Sequence, residues 1–177
     1  MIYYAPMKKK ESFNLTLTAW PVVFLLAVGI CWLTSTVAGW FGIDLPDQPS
    51  LDMVRRARGW ELVRWILLIA VAAPVAEELI FRFLLFKVPL WIAQKVRRTA
   101  PGARPVVLAA LVSSALFSAA HYVQMPFPNN AFLALAAFGL CQCALYRRTG
   151  RLWSPMLNHA LFNLTNLVLL FVFPAAT

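Results

Sequence analysis

Two adjacent acids, Glu77 and Glu78, stand with Arg82 inside an apolar stretch, and the two histidines of the chain, His121 and His159, fall in later apolar stretches. On a helix Glu78 and Arg82, four residues apart, share a face and can neutralise one another, leaving Glu77 turned about 100° away toward a different neighbour. A charge at the centre of a bilayer costs about 2.5 to 3.5 kcal/mol on insertion scales, so an ionisable residue there points to function by default. A purely stabilising ion pair accounts for Glu78 and Arg82 and leaves Glu77 unexplained. Pro74 removes a backbone N–H just before the acids and frees the carbonyl of Ala70. His159 and Asn163 also share a helix face, where an imidazole and an amide serve either interhelical hydrogen bonding or chemistry. His121 ends an apolar run one turn after Phe117, and a histidine at a helix end is by itself more often interfacial than catalytic.

A carboxylate, two imidazoles and an amide on three separate spans are the equipment of a hydrolase. Carboxylates withdrawn from bulk water hold a proton more tightly, which suits a general base for water; Glu77 is the candidate. His121 can hold the same water or relay its proton, and His159 and Asn163 can donate to the oxygen of a tetrahedral intermediate.

The elements that position these groups follow from composition. The chain has 177 residues, 61% hydrophobic and 13% charged, against about a quarter charged in soluble domains. This predicts an all-α, polytopic transmembrane bundle forming a single membrane domain over residues 1–177. Uncharged runs at 14–43, 105–146 and 152–177 each hold one or two helices of about 20 residues. The first span covers about 19–40, between Trp20 and Trp40, and is an uncleaved span rather than a signal peptide despite the preceding Lys8, Lys9 and Lys10. After a polar loop at 42–50, residues 51–64 form an amphipathic segment, and a second span at roughly 61–86 holds the acids and Arg82. The run 105–146 splits at the turn-rich 124–130 stretch into a third span ending near Tyr122 and a fourth beginning near Ala131. Ser154 is read as an N-cap with Pro155 at the first helical position of a fifth span. Cys31, Cys141 and Cys143 lie within spans and read as small buried hydrophobes.

The net charge of +9 sits at the ends of apolar runs and sets topology; it is not a nucleic-acid surface. The N-terminus and the basic 87–104 and 147–151 loops are expected inside, in the cytoplasm, and the neutral 123–130 turn outside. Arg55, Arg56 and Arg58 run against this pattern and need an interfacial position or compensation by Asp44, Asp47 and Asp52. Counted inward from the basic loops, Glu77 and His159 lie about 12 to 15 Å deep and His121 about 24 Å from Pro105. Either the third helix begins several residues after Pro105 or it tilts strongly.

Glu77 to Arg82 reads EExxxR, Phe117 to His121 reads FxxxH, and His159 to Asn163 reads HxxxN. In this order the motifs resemble those of the CPBP family of intramembrane proteases, the CAAX protease and bacteriocin-processing family with its Rce1-like enzymes. The resemblance covers residues 74–163, about half of the chain. It implies a helical membrane endopeptidase with its catalytic core at about 60–173, in which Glu77 and His121 activate water and His159 and Asn163 form the oxyanion site. Glu78, Arg82 and Phe117 are then supporting residues. Members are often labelled metalloproteases, yet the resemblance favours glutamate-activated water and no cofactor.

Zinc is the alternative, with Glu77, His121 and His159 as ligands and one position open for water. No HExxH is present, and each ligand would come from a different span. A proton-coupled transporter and a non-catalytic immunity or scaffold protein are the other readings; the absence of an internal repeat argues against transport. The expected partners are membrane lipid and a peptide or lipidated protein tail, with no nucleic acid, in a bacterial cytoplasmic membrane.

Overall fold

Backbone N–H and C=O groups surrounded by lipid must be satisfied within their own segment. The computed structural model meets that demand with helices: it describes residues 6–45, 49–121, 129 and 131–173, and no strand occurs among them. Asp47 and, except for Asn129, the whole 123–130 turn lie outside the described residues, as does the side chain of Asp52.

Helix α1 (Lys9–Trp40) is followed by the short α2 (Pro49–Arg56). A continuous rod then runs from Gly59 to Arg97 through α3 (Gly59–Leu67), a π segment (Leu68–Ala72), α4 (Ala73–Glu78), a second π segment (Leu79–Lys87) and α5 (Val88–Arg97). Helices α6 (Ala103–Ala120), α7 (Ala131–Thr149) and α8 (Trp153–Val172) complete the bundle. Of the five expected spans, three (α1, α6 and α8) are single helices long and apolar enough to cross a membrane, and the chain is an integral membrane protein. The second expected span is the middle of the rod, and the fourth is α7, which carries Gln142, Arg147 and Arg148.

Several local expectations change. Helix α1 starts at Lys9, well before the expected span, and at about 1.5 Å per residue is longer than a bilayer core of about 30 Å. Its first turns bury Ser12 and Thr16 against the start of α8. Helix α8 begins two residues earlier than expected, so Ser154 lies in its first turn and does not cap it. The reason is a competing partner: the Ser154 hydroxyl pairs with that of Thr16 across the two helices. The same buried column continues from Asn158 Nδ2 to the Thr16 carbonyl at 3.3 Å and from Gln142 Nε2 to Asn158 Oδ1 at 3.0 Å, joining α1, α7 and α8.

The amphipathic 51–64 segment is broken at Gly59, whose φ of +53° is a left-handed conformation that favours glycine. This lets α2 fold back so that Val54 packs with Ala70, Leu167 and Leu170. Helix α6 begins at Ala103, before Pro105, so a late start does not bring His121 level with the acids.

Small residues let α6 approach its neighbours closely. Ser113 donates to the Phe81 carbonyl at 2.6 Å, and Ser118 donates to the Phe132 carbonyl at 2.8 Å. At Gly139 the fit leaves no room for a side chain, since a β-carbon there would stand 2.9 Å from Ser114 Cβ. Substituting Gly139→Ala is therefore expected to cost about 1 to 3 kcal/mol by overpacking. The loss should show as a lower melting temperature in detergent, and adding Ser114→Gly should recover only part of it, because Ser114 Cα also stands 3.0 Å from the new methyl.

Candidate active site

The site is built around a defect in the rod. The Ala73 N–H reaches back five residues to the Leu68 carbonyl, so the helix here is in π register. That register assigns the Ile69 carbonyl to residue 74, a proline without an N–H. Asn163 Nδ2 from α8 takes this carbonyl at 2.8 Å. Pro74 thus frees Ile69 rather than Ala70, because the π widening moves the orphaned acceptor by one residue. The contact also fixes the amide, since only its N–H side can face a carbonyl, and it leaves Asn163 a second N–H to give.

Glu78 and Arg82 form the expected pair, with Arg82 Nε 3.1 Å from Glu78 Oε2 and both side chains wholly buried. The N–H is not aligned on that oxygen, so the contact is Coulombic rather than a hydrogen bond. The guanidinium lies 4.5 Å from the centre of the Phe117 ring, a cation–π contact in a site closed to water.

His159, itself 3% exposed, sits between the two acids. Its Nδ1 is 3.0 Å from Glu78 Oε1, and its Nε2 is 3.7 Å from Glu77 Oε2. Glu77 was expected to turn to a different neighbour. The two acids instead address one imidazole from its two nitrogens, because α8 crosses the rod where the ring fits between them. Glu78 contacts His159 through Oε1 and Arg82 through Oε2, whereas Glu77 Oε2, buried and without a hydrogen bond among the described residues, faces His159 Nε2 alone. The Glu77 side chain is 26% exposed, so this end of the site is open while the Glu78 end is sealed.

Phe117 is the hub. Fully buried, its ring touches those of Phe81 (5.3 Å between centroids), Phe138 (5.8 Å), His121 (4.7 Å) and His159 (5.8 Å). His121 caps the C-terminus of α6, with Nδ1 2.9 Å from the Phe117 carbonyl. Among the described residues no hydrogen bond or ion pair joins His121 to Glu77 or His159; direct contacts join the acids, His159 and Arg82, and His121 is linked to them through the Phe117 ring. No group of three or more His, Cys, Asp or Glu among the described residues is placed to hold a metal ion.

Sequence reasoning missed Phe138, whose ring lies 4.8 Å from that of His159 and 4.6 Å from that of Phe162. An aromatic in an apolar run carries no signal of its own. It also missed Asn158 and Gln142, though a polar amide within an uncharged span is a legible signal.

A buried, partly open cluster of acids and imidazole in an all-helical membrane bundle defines the class of protein. The family described as type II CAAX prenyl endopeptidase, Rce1-like, matches residues 59–165, and the chain belongs to that family. The matched stretch holds Glu77, Glu78, Arg82, Phe117, His121, His159 and Asn163. No curated protein and no solved structure matches the chain. It is therefore a membrane-embedded endopeptidase of the CAAX type, a class whose substrates are prenylated peptides or proteins in the membrane.

Removing one partner of a buried ion pair leaves the other charge uncompensated. Glu78→Leu should destabilise the protein by about 3 to 5 kcal/mol, and the double replacement Glu78→Leu with Arg82→Leu should recover most of that. Glu77→Gln should cost less than about 1 kcal/mol. Unfolding followed by tryptophan fluorescence in detergent distinguishes the three variants.

Proposed function

We propose that the chain hydrolyses a peptide bond in a membrane-associated or lipidated tail with a water activated by Glu77. The observation that carries this reading is the unequal state of the two acids: Glu78 is held by Arg82 at 3.1 Å and His159 at 3.0 Å, and Glu77 has only the looser 3.7 Å approach to His159 Nε2 among the described residues. Their 3.7 Å separation is too long for a direct hydrogen bond and suits two groups that act on a third.

In this reading Glu77 takes a proton as the water oxygen attacks the scissile carbonyl carbon. The oxyanion that forms accepts hydrogen bonds from His159 Nε2–H and from the Asn163 N–H not given to Ile69. Collapse of the intermediate breaks the C–N bond, and the leaving amine takes the proton from Glu77. His121 donates Nδ1–H to Phe117, which leaves Nε2 as an acceptor for the attacking water once substrate closes the site.

Zinc would need Glu77, His121 and His159 on one ion. What favours glutamate is that no three His, Cys, Asp or Glu side chains among the described residues are grouped as metal ligands. Positive charge near the start of α1, from Lys87 through α5 to the start of α6, and at the α7–α8 turn supports a cytoplasmic N-terminus.

Purified protein incubated with a library of peptides and lipopeptides, read by mass spectrometry, tests this. Glu77→Gln should lower cleavage by at least about 100-fold while leaving the fold intact. Wild type stripped of metal should keep its activity; complete loss, restored only by zinc, would replace glutamate with metal chemistry. Cleavage indifferent to Glu77→Gln would sink the mechanism, and no cleavage by folded wild type would favour the scaffold or transport readings.

A further inference from the structure

The basic residues of this chain are scattered in sequence, and the fold gathers many of them at one end. The Met7 N–H bonds to the Thr149 carbonyl at 3.1 Å, and Arg151 Nε returns to the Met7 carbonyl at 2.9 Å, tying the lysines at the start of α1 to the α7–α8 turn. Gly150, at φ +67°, holds Pro6 so closely that a β-carbon would lie 3.1 Å from Pro6 Cα. The end of the rod and the start of α6 meet the same region.

Between these elements lies a cavity of about 460 Å³, within the range of small-ligand sites. One wall is apolar, formed by Phe86, Leu90 and Val106, and the mouth carries Lys87, Arg147 and Trp91. No acid lines it. Lys87 Nζ faces only aromatic rings, 5.4 Å from that of Phe83 and 5.7 Å from that of Tyr146, and neither Lys87 nor Arg147 has an ion pair among the described residues. The lining shares no residue with the acids, His159 or Asn163.

We propose that this cavity binds an anionic phospholipid, with the phosphodiester between Lys87 and Arg147 and the first part of an acyl chain against Phe86, Leu90 and Val106. Uncompensated cations at the mouth call for an anion, and basic pockets between membrane helices are suited to acidic headgroups. The apolar wall calls for a chain attached to that anion, which a free phosphate does not supply. Trp91, 47% exposed, stands at the mouth as interfacial tryptophans do. The site does not depend on the peptidase reading and would survive its failure.

The test uses full-length protein in detergent and phosphatidylglycerol with brominated acyl chains, which quench nearby tryptophan; the difference between wild type and Trp91→Phe isolates the signal from the cavity. Brominated phosphatidylglycerol should bind at least about 10-fold more tightly than brominated phosphatidylcholine. The double variant Lys87→Gln with Arg147→Gln should weaken binding by about 10-fold, whereas Arg97→Gln with Arg104→Gln, which removes equal charge outside the lining, should change it by less than about twofold. Val106→Phe fills the cavity without altering charge and should weaken binding similarly, which keeps the test available if the double charge variant does not fold. Equal binding of the two lipids, equal losses in the two charge variants, or full displacement by millimolar inorganic phosphate would each overturn the proposal.

Discussion

The ion pair between Glu78 and Arg82, sealed inside an apolar bundle, is the contact on which the site depends. Neither charge is stable there alone, and the pair is not a complete solution, because the guanidinium has more donors and the carboxylate more lone pairs than one contact satisfies. The surroundings supply the rest. Phe117 offers its ring face to Arg82, and His159 approaches the remaining Glu78 oxygen. Satisfying a buried charge therefore fixes the orientation of the imidazole, and with it the direction of the nitrogen that faces Glu77.

The same economy governs the backbone. Pro74 leaves an acceptor in the rod without a donor, and Asn163 completes it from another helix. The π segments on either side of α4 change which carbonyl is orphaned and carry the acids into the path of α8. π segments occur often at functional sites because they re-aim side chains at little cost to the hydrogen-bond ladder. Around this centre, Ser113, Ser114 and Gly139 allow close helix approach, and the column from Thr16 through Asn158 to Gln142 locks α1 and α7 to α8. In an apolar environment these contacts do the work that hydrophobic burial does in water.

Membership in the Rce1-like family is consistent with how the molecule divides its polar groups. One set is buried in mid-bundle and organised about His159. The other is basic, peripheral and gathered by the N-terminal segment, the end of the rod and the α7–α8 turn. The excess of positive charge in the second set suits it to meet an anionic surface.

The all-helical membrane class was legible from composition, and the pairing of Glu78 with Arg82 from a four-residue spacing that survives the π register after Leu79. The three motifs were enough to indicate the family. Spacing within one helix is a local property, and sequence reports it well. It does not report which helix crosses which, at what height or at what rotation. That is why Glu77 and Glu78 converge on a single imidazole and why Ser154 turns to Thr16 instead of capping its helix. The sequence determined which residues needed partners inside the membrane; tertiary packing decided which partners they received, because a buried polar group is satisfied by whatever the neighbouring helix brings within about 3 Å.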